Sequence, residues 1–326
     1  MKNKQIEGFR GIAIMLIVCF HLFCRFQQLY CNNSIGWMSW WGDFGAMSFL
    51  FISAFFLTNR TEKLKIKDYL IRKIIRLWPT YFICITIIFI TLHIWWLPNR
   101  TCTFIDYVAN VFWINGYIGV PYVEQSHWYL TTLISFILGV AFLKRIKKDQ
   151  QPESYIVWCI LAFIAKIVSN DFLYKLIGGS YVGVMGLAYV SHIFLEKKDS
   201  KEKYLIIRAM ILLSLSSIYI YATKGIMYVV YLVIIMVIFS FAYYNKLKIL
   251  EIKILQYLGA ISYPLYLIHQ NIAFCIEYQI LQKSNTFTVK SGIIALLIVF
   301  AISIVVFNLN NIITSGLVHL RKKVRQ

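Results

Sequence analysis

The sequence predicts an all-α protein, a polytopic membrane bundle of about ten transmembrane helices with both termini in the cytoplasm. Three observations predict it. The 326 residues are 60% hydrophobic, and the mean hydropathy is +0.67, more apolar surface than a water-soluble chain of this size can hide. Apolar runs near span length recur along the whole chain. The net charge of +19 sits in clusters between those runs, which is the positive-inside pattern and not a nucleic-acid footprint.

The spans fall at 12–31, 37–58, 79–97, 128–143, 155–170, 172–195, 204–222, 225–243, 254–281 and 290–319. With the N-terminus inside, the cytoplasmic segments collect Lys2, Lys4 and Arg10, then Arg60 to Arg76, Lys144 to Lys148, Lys197 to Arg208, Lys246 to Lys253 and Arg321 to Arg325. Adding or removing one span would scramble this alternation. Seven cations fall off the pattern: Arg25, Arg100, Lys166, Lys175, Lys224, Lys283 and Lys290. The short connection between 155–170 and 172–195 makes that pair the softest. The whole of 1–326 reads as one transmembrane domain without a soluble domain. Its first span resembles a signal peptide, but bulky Leu22, Phe23 and Phe26 stand where a cleavage site needs small residues, so it reads as retained.

The seven cysteines form no metal-ligand spacing, and no metal is expected. Most sit inside apolar runs as small hydrophobes. Cys31 and Cys102 are the two that the layout would allow to pair.

The first span begins Glu7-Gly8-Phe9-Arg10-Gly11 and carries His21 near its middle. Eleven residues apart, Arg10 and His21 share nearly one helix face and stand about 16 Å apart along the axis. Ionisable groups inside a bilayer are costly, so they mark candidate functional sites. The plain alternative is helix–helix hydrogen bonding. Asp43 enters the second span among small residues that suit close packing. Arg72 and Arg76 are spaced i,i+4 before Pro79, at the edge of a span, where an anion site competes with headgroup contact. Segment 98–127 mixes aromatics with amides and holds Glu124; an interfacial belt or a sugar-binding surface both suit it. Trp128 opens the fourth span as an ordinary anchor would, with His127 just before it. In the ninth, Ser262, Tyr266 and His269 follow i, i+4, i+7 and line one face, and Pro264 suggests a kink.

Taken together, these stretches resemble the acyltransferase family 3 of integral-membrane acyltransferases. Arg10 and His21 match its Arg-x10-His motif. Phe51-Ile52-Ser53-Ala54-Phe55 is similar to its Phe-x-Ser-Gly-Phe stretch. Arg72 to Pro79 looks like its Arg-rich run ending in Pro, and His127-Trp128-Tyr129-Leu130 like its Trp-centred motif. Ser262 to His269 matches Ser-Tyr-x-x-Tyr-Leu-x-His. The chain departs from many members at Leu133, where they carry Glu; if that Glu assists there, Glu7, Asp43 or Glu124 substitutes here, or nothing does.

The resemblance implies transfer of an acyl group, acetyl in the simplest case, from acyl-CoA to a hydroxyl of a cell-surface or lipid-linked carbohydrate, at the cell membrane. His21 is then the general base, with Arg10, His269 and Tyr266 completing the catalytic set. Arg10, Arg72, Arg76 and Ser53 hold the acetyl-CoA co-substrate. Asp43, Trp128, Glu124 and Ser262 meet the acceptor. Membrane lipid is the other partner. A transporter or flippase for a sugar or lipid-linked glycan is the rival class, since polar residues through many spans also suit a path.

Overall fold

The computed structural model describes residues 3–31, 36–58, 65–196 and 203–323. Lys2, Arg60, Lys63, Lys197, Lys198, Lys201 and Arg325, which enter the charge pattern, lie outside the described residues. All regular structure among the described residues is helical. In chain order the helices are α1 Lys4–Phe20, α2 Phe26–Tyr30, α3 Ser39–Thr58, α4 Ile66–Ile94, α5 Phe104–Val111, α6 Asn115–Ile118 and α7 Trp128–Arg145. They continue with α8 Pro152–Ile167, α9 Asp171–Ile177, α10 Val182–Glu196, α11 Lys203–Lys224, α12 Ile226–Tyr243, α13 Lys253–Ser284 and α14 Val289–Lys323. A π-helical turn, His21–Arg25, links α1 to α2.

Eight helices among the described residues are long and apolar enough to cross a membrane: Lys4–Tyr30, Gly36–Leu57, Ile66–Ile94, Gln125–Arg145, Asp171–His192, Ile206–Lys224, Ile226–Tyr243 and Val289–Val318. The expected spans at 155–170 and 254–281 are not among them. The first corresponds to α8, which has sixteen residues, short against the roughly 20 that a bilayer core needs. The second corresponds to α13. It has 32 residues, and its middle is buried and carries His269, Gln270, Asn271 and Glu277. A helix enclosed by its neighbours need not be apolar all round, which lowers its hydropathy without shortening it.

One local reading is corrected. The sequence layout leaves Lys67, Arg72, Lys73 and Arg76 in the cytoplasmic segment ahead of the span that begins at Pro79. The structure places them on α4, which runs through Pro79 without interruption. Neighbouring helices and side chains can make up for the donor that proline lacks, as is common in membrane helices.

The chain divides into two compact units. The first comprises 1–45, 71–128 and 249–326. At its centre α1 and α13 run side by side in the same direction. A Cβ on Gly8 would overlap the Leu250 carbonyl oxygen, one on Gly11 the Leu255 carbonyl oxygen, and one on Gly259 the Glu7 carbonyl oxygen. The two backbones touch there, and only glycine permits it. Gly45 likewise meets the Ala13 carbonyl and Ile17, and Gly292 on α14 meets Phe23 and Glu277. The second unit comprises 46–70 and 129–248. Phe51 and Phe55 pack edge-on against Phe239 at 5.1 and 4.6 Å. A buried Lys144–Asp149 ion pair at 2.8 Å closes the α7–α8 turn, and Asp149 also accepts from Tyr189 at 3.2 Å. All seven cysteines are free, Cys31 and Cys102 included.

Candidate active site

The site grows from the α1–α13 contact. Arg10 sits between Gly8 and Gly11, where α1 lies against α13. From there to Phe20 the helix is regular, so Arg10 and His21 keep their helical spacing. At His21 the ladder widens into the π turn, and the Phe26 N–H reaches back to the His21 carbonyl. Single π turns are frequent at functional sites.

His21 meets His269. The rings stand edge to face with centroids 4.8 Å apart, and His269 Nε2 lies 3.2 Å from His21 Nδ1. Their other partners fix the protons. His21 Nδ1 lies 2.8 Å from the Ile17 carbonyl, and His269 Nδ1 lies 2.7 Å from the Tyr266 carbonyl. A carbonyl only accepts, so in the neutral pair each Nδ1 carries the hydrogen. The His21 Nδ1–H is then shared between Ile17 and His269 Nε2, and His21 Nε2 keeps a lone pair. His269 is fully buried, whereas His21 retains part of its surface.

A third strand of the site is the segment before α7. Four hydrogen bonds clamp it to α13. Asn271 donates from Nδ2 to the Val123 carbonyl at 2.7 Å and from its backbone N–H to Glu124 Oε2 at 2.8 Å. Tyr266 Oη donates to the Ser126 carbonyl, and His127 Nε2 donates to the Leu267 carbonyl at 2.9 Å. The 267 carbonyl and the 271 N–H are an i,i+4 pair of α13, so both sides of one helical rung take partners from 124–127.

Two charges lie in this cluster. Glu124 is fully buried, and its Oε1 makes no hydrogen bond. Burial pushes the Glu124 carboxyl up to about 7, against the opposing pull of the Asn271 N–H and the Arg100 charge. Arg100 is 7% exposed and lies over the Phe274 ring at 5.7 Å. Among the described residues its Nη1 makes no hydrogen bond, and Glu124, His21 and Tyr30 lie within reach of its charge. A buried guanidinium with an open donor is costly unless something else takes that donor.

The structure thus gathers His21, His269, Tyr266 and Glu124 in one cluster. Ser262, also buried, spends its hydroxyl on the Gly259 carbonyl at 2.6 Å, close to Pro264. Arg72 and Arg76 are both exposed on α4. Asp43 is half-buried on α3, and Trp128 is 37% exposed at the start of α7. Ser53 belongs to the second unit, where it bonds Tyr129 Oη at 2.9 Å. Arg100, His127 and Asn271 were not singled out from the sequence as site residues. Arg100 did carry a signal, being a cation off the topological pattern, and His127 stands at the head of the Trp-centred motif; Asn271 carried none until the fold paired it.

A family model described as an acyltransferase domain matches residues 3–308. No curated protein matches. No solved structure matches.

Proposed function

The chain belongs to the acyltransferase 3 family, and we propose that it moves an acyl group, acetyl in the simplest case, from acyl-CoA to a hydroxyl of a cell-surface or lipid-linked carbohydrate. It is a multi-pass membrane acyltransferase; donor, acceptor, the cell membrane as its site, ten spans and cytoplasmic termini are our reading.

The observation that carries the reading is the His21–His269 pair. Among the described residues, the lone pair of His21 Nε2 has no partner while that of His269 Nε2 faces His21 Nδ1, and His21 is the residue of the two that keeps accessible surface. In the proposed step Nε2 takes the proton from the acceptor hydroxyl. The oxygen attacks the thioester carbonyl, and the tetrahedral intermediate collapses with cleavage of the carbon–sulfur bond. The departing thiolate recovers the proton from His21 Nε2. During the step the imidazolium Nδ1–H has two acceptors, Ile17 O and His269 Nε2, which hold the ring and spread its charge. His269 is a positioning residue in this scheme.

The oxyanion needs a donor with nothing else to bond. Tyr266 Oη is directed at Ser126 and His269 Nδ1 at Tyr266, whereas Arg100 Nη1 is open. Arg100 therefore takes that role. Arg10, Arg72 and Arg76 suit the phosphates of CoA, since guanidinium forks bind phosphate bidentately. An extended pantetheine arm would cover the length of α1 from Arg10 to His21.

The test is chemical. Membranes holding the protein are given acetyl-CoA labelled in the acetyl group together with host glycans freed of esters by mild alkali. Label appearing in glycan as an alkali-labile ester is the expected result. Glycan transported without acylation would overturn the reading in favour of a transporter.

A further inference from the structure

A second polar region lies further along the same two helices. Tyr30 stands nine residues beyond His21 and Tyr278 nine beyond His269, about 13 Å away along parallel axes. Between α2 and the end of α13 is a cavity of about 650 Å³, within the range of small-molecule sites. Its wall alternates aromatic faces with amides: Tyr30, Tyr278 and Phe287 beside Gln27, Gln282 and Asn285. Tyr30 and Tyr278 meet edge to face at 5.5 Å, which fixes both rings. Gln27 is 4% exposed and spends its Nε2 on the Phe23 carbonyl at 2.7 Å, which leaves its amide oxygen as an acceptor.

Rings that stack on C–H faces beside amides that pair with hydroxyls make one combination. It suits a neutral, polyhydroxylated ligand and not a phosphate or a fatty chain.

We propose that this cavity holds the saccharide acceptor, with Tyr30 and Tyr278 against its ring faces and the amides of Gln27, Gln282 and Asn285 hydrogen-bonding its hydroxyls. The proposal rests on the carbohydrate reading above. A ligand that fills the cavity and also offers a hydroxyl to His21 must span about 13 Å, which selects an oligosaccharide or longer chain over a single sugar. Arg100, whose charge reaches both Tyr30 and His21, lies along that route.

Cys31 reports on the cavity. The full-length protein is alkylated with N-ethylmaleimide and labelling is read peptide by peptide by mass spectrometry. The probe is host surface glycan, stripped of esters with mild alkali and cut to oligosaccharides. With glycan at about ten times its Kd, Cys31 labelling slows about tenfold, while half-buried Cys102, which does not line the cavity, labels at its former rate. Tyr278→Ala removes the protection and Tyr278→Phe keeps it. Unchanged Cys31 labelling in the presence of glycan overturns the site. If the same glycan is nevertheless acylated, only this site falls; if it is not acylated either, the carbohydrate reading falls with it.

Discussion

His269 Nε2 approaches His21 Nδ1 to 3.2 Å from a residue 248 positions away in the chain. The carbonyls of Ile17 and Tyr266 assign the protons, so in the proposed step His269 acts only through His21. His269→Gln should therefore lower kcat by about tenfold, about 1.4 kcal/mol of barrier, with the KM for acetyl-CoA unchanged. Steady-state kinetics on the purified variant read that split. A rise in KM alone would place His269 in donor binding.

Glu124 gives the protein a pH dependence. Its folded value of about 7 lies above the ordinary carboxylate range near 4.3. Between the two, the folded state holds the proton and the unfolded chain has lost it. Stability is thus full below the ordinary range and is lost as pH rises through about 7. The thermal midpoint in detergent should fall over that window, and Glu124→Gln should flatten the profile.

The α1–α13 contact makes Gly259 intolerant. A side chain there meets the Glu7 backbone, which cannot give way as a flexible side chain would. Gly259→Val should cost at least the ~1–3 kcal/mol typical of overpacking, read as a lower thermal midpoint. Gly36→Ala, where a Cβ meets nothing within 4 Å, should be silent.

Arg72 and Arg76 carry the donor assignment. Replacing both by Gln should raise the KM for acetyl-CoA about tenfold or more while leaving kcat within about twofold. Loss of a charge-assisted contact is worth ~1.5–3 kcal/mol. The effect should shrink at high salt, because exposed charges are screened. An unchanged KM would move the phosphate site elsewhere.

How far the sequence was legible follows from where each signal resides. Arg10 and His21 lie on one helix, so their spacing was readable from the 3.6-residue period alone. So was the Ser262, Tyr266, His269 face. The ion-rich run ahead of Pro79 reads as a loop because proline is normally a stop, yet it lies on α4, which continues through Pro79. α13 was expected as a span from its apolar flanks. Its polar middle is explained only by what surrounds it. The clamp of Asn271 on Val123 and Glu124 joins residues nearly 150 positions apart, and no local pattern announces such a pairing. The π turn at His21 and the open donor on Arg100 are likewise properties of the folded chain.

The central claim is that His21 Nε2 takes the acceptor proton. Single-turnover transfer of labelled acetyl from acetyl-CoA to de-esterified glycan, comparing the protein with His21→Ala, tests it most directly. The predicted result is a loss of about 10²–10⁴-fold in rate at an unchanged thermal midpoint. Transfer by a folded His21→Ala protein at a rate within about twofold of the parent would contradict it.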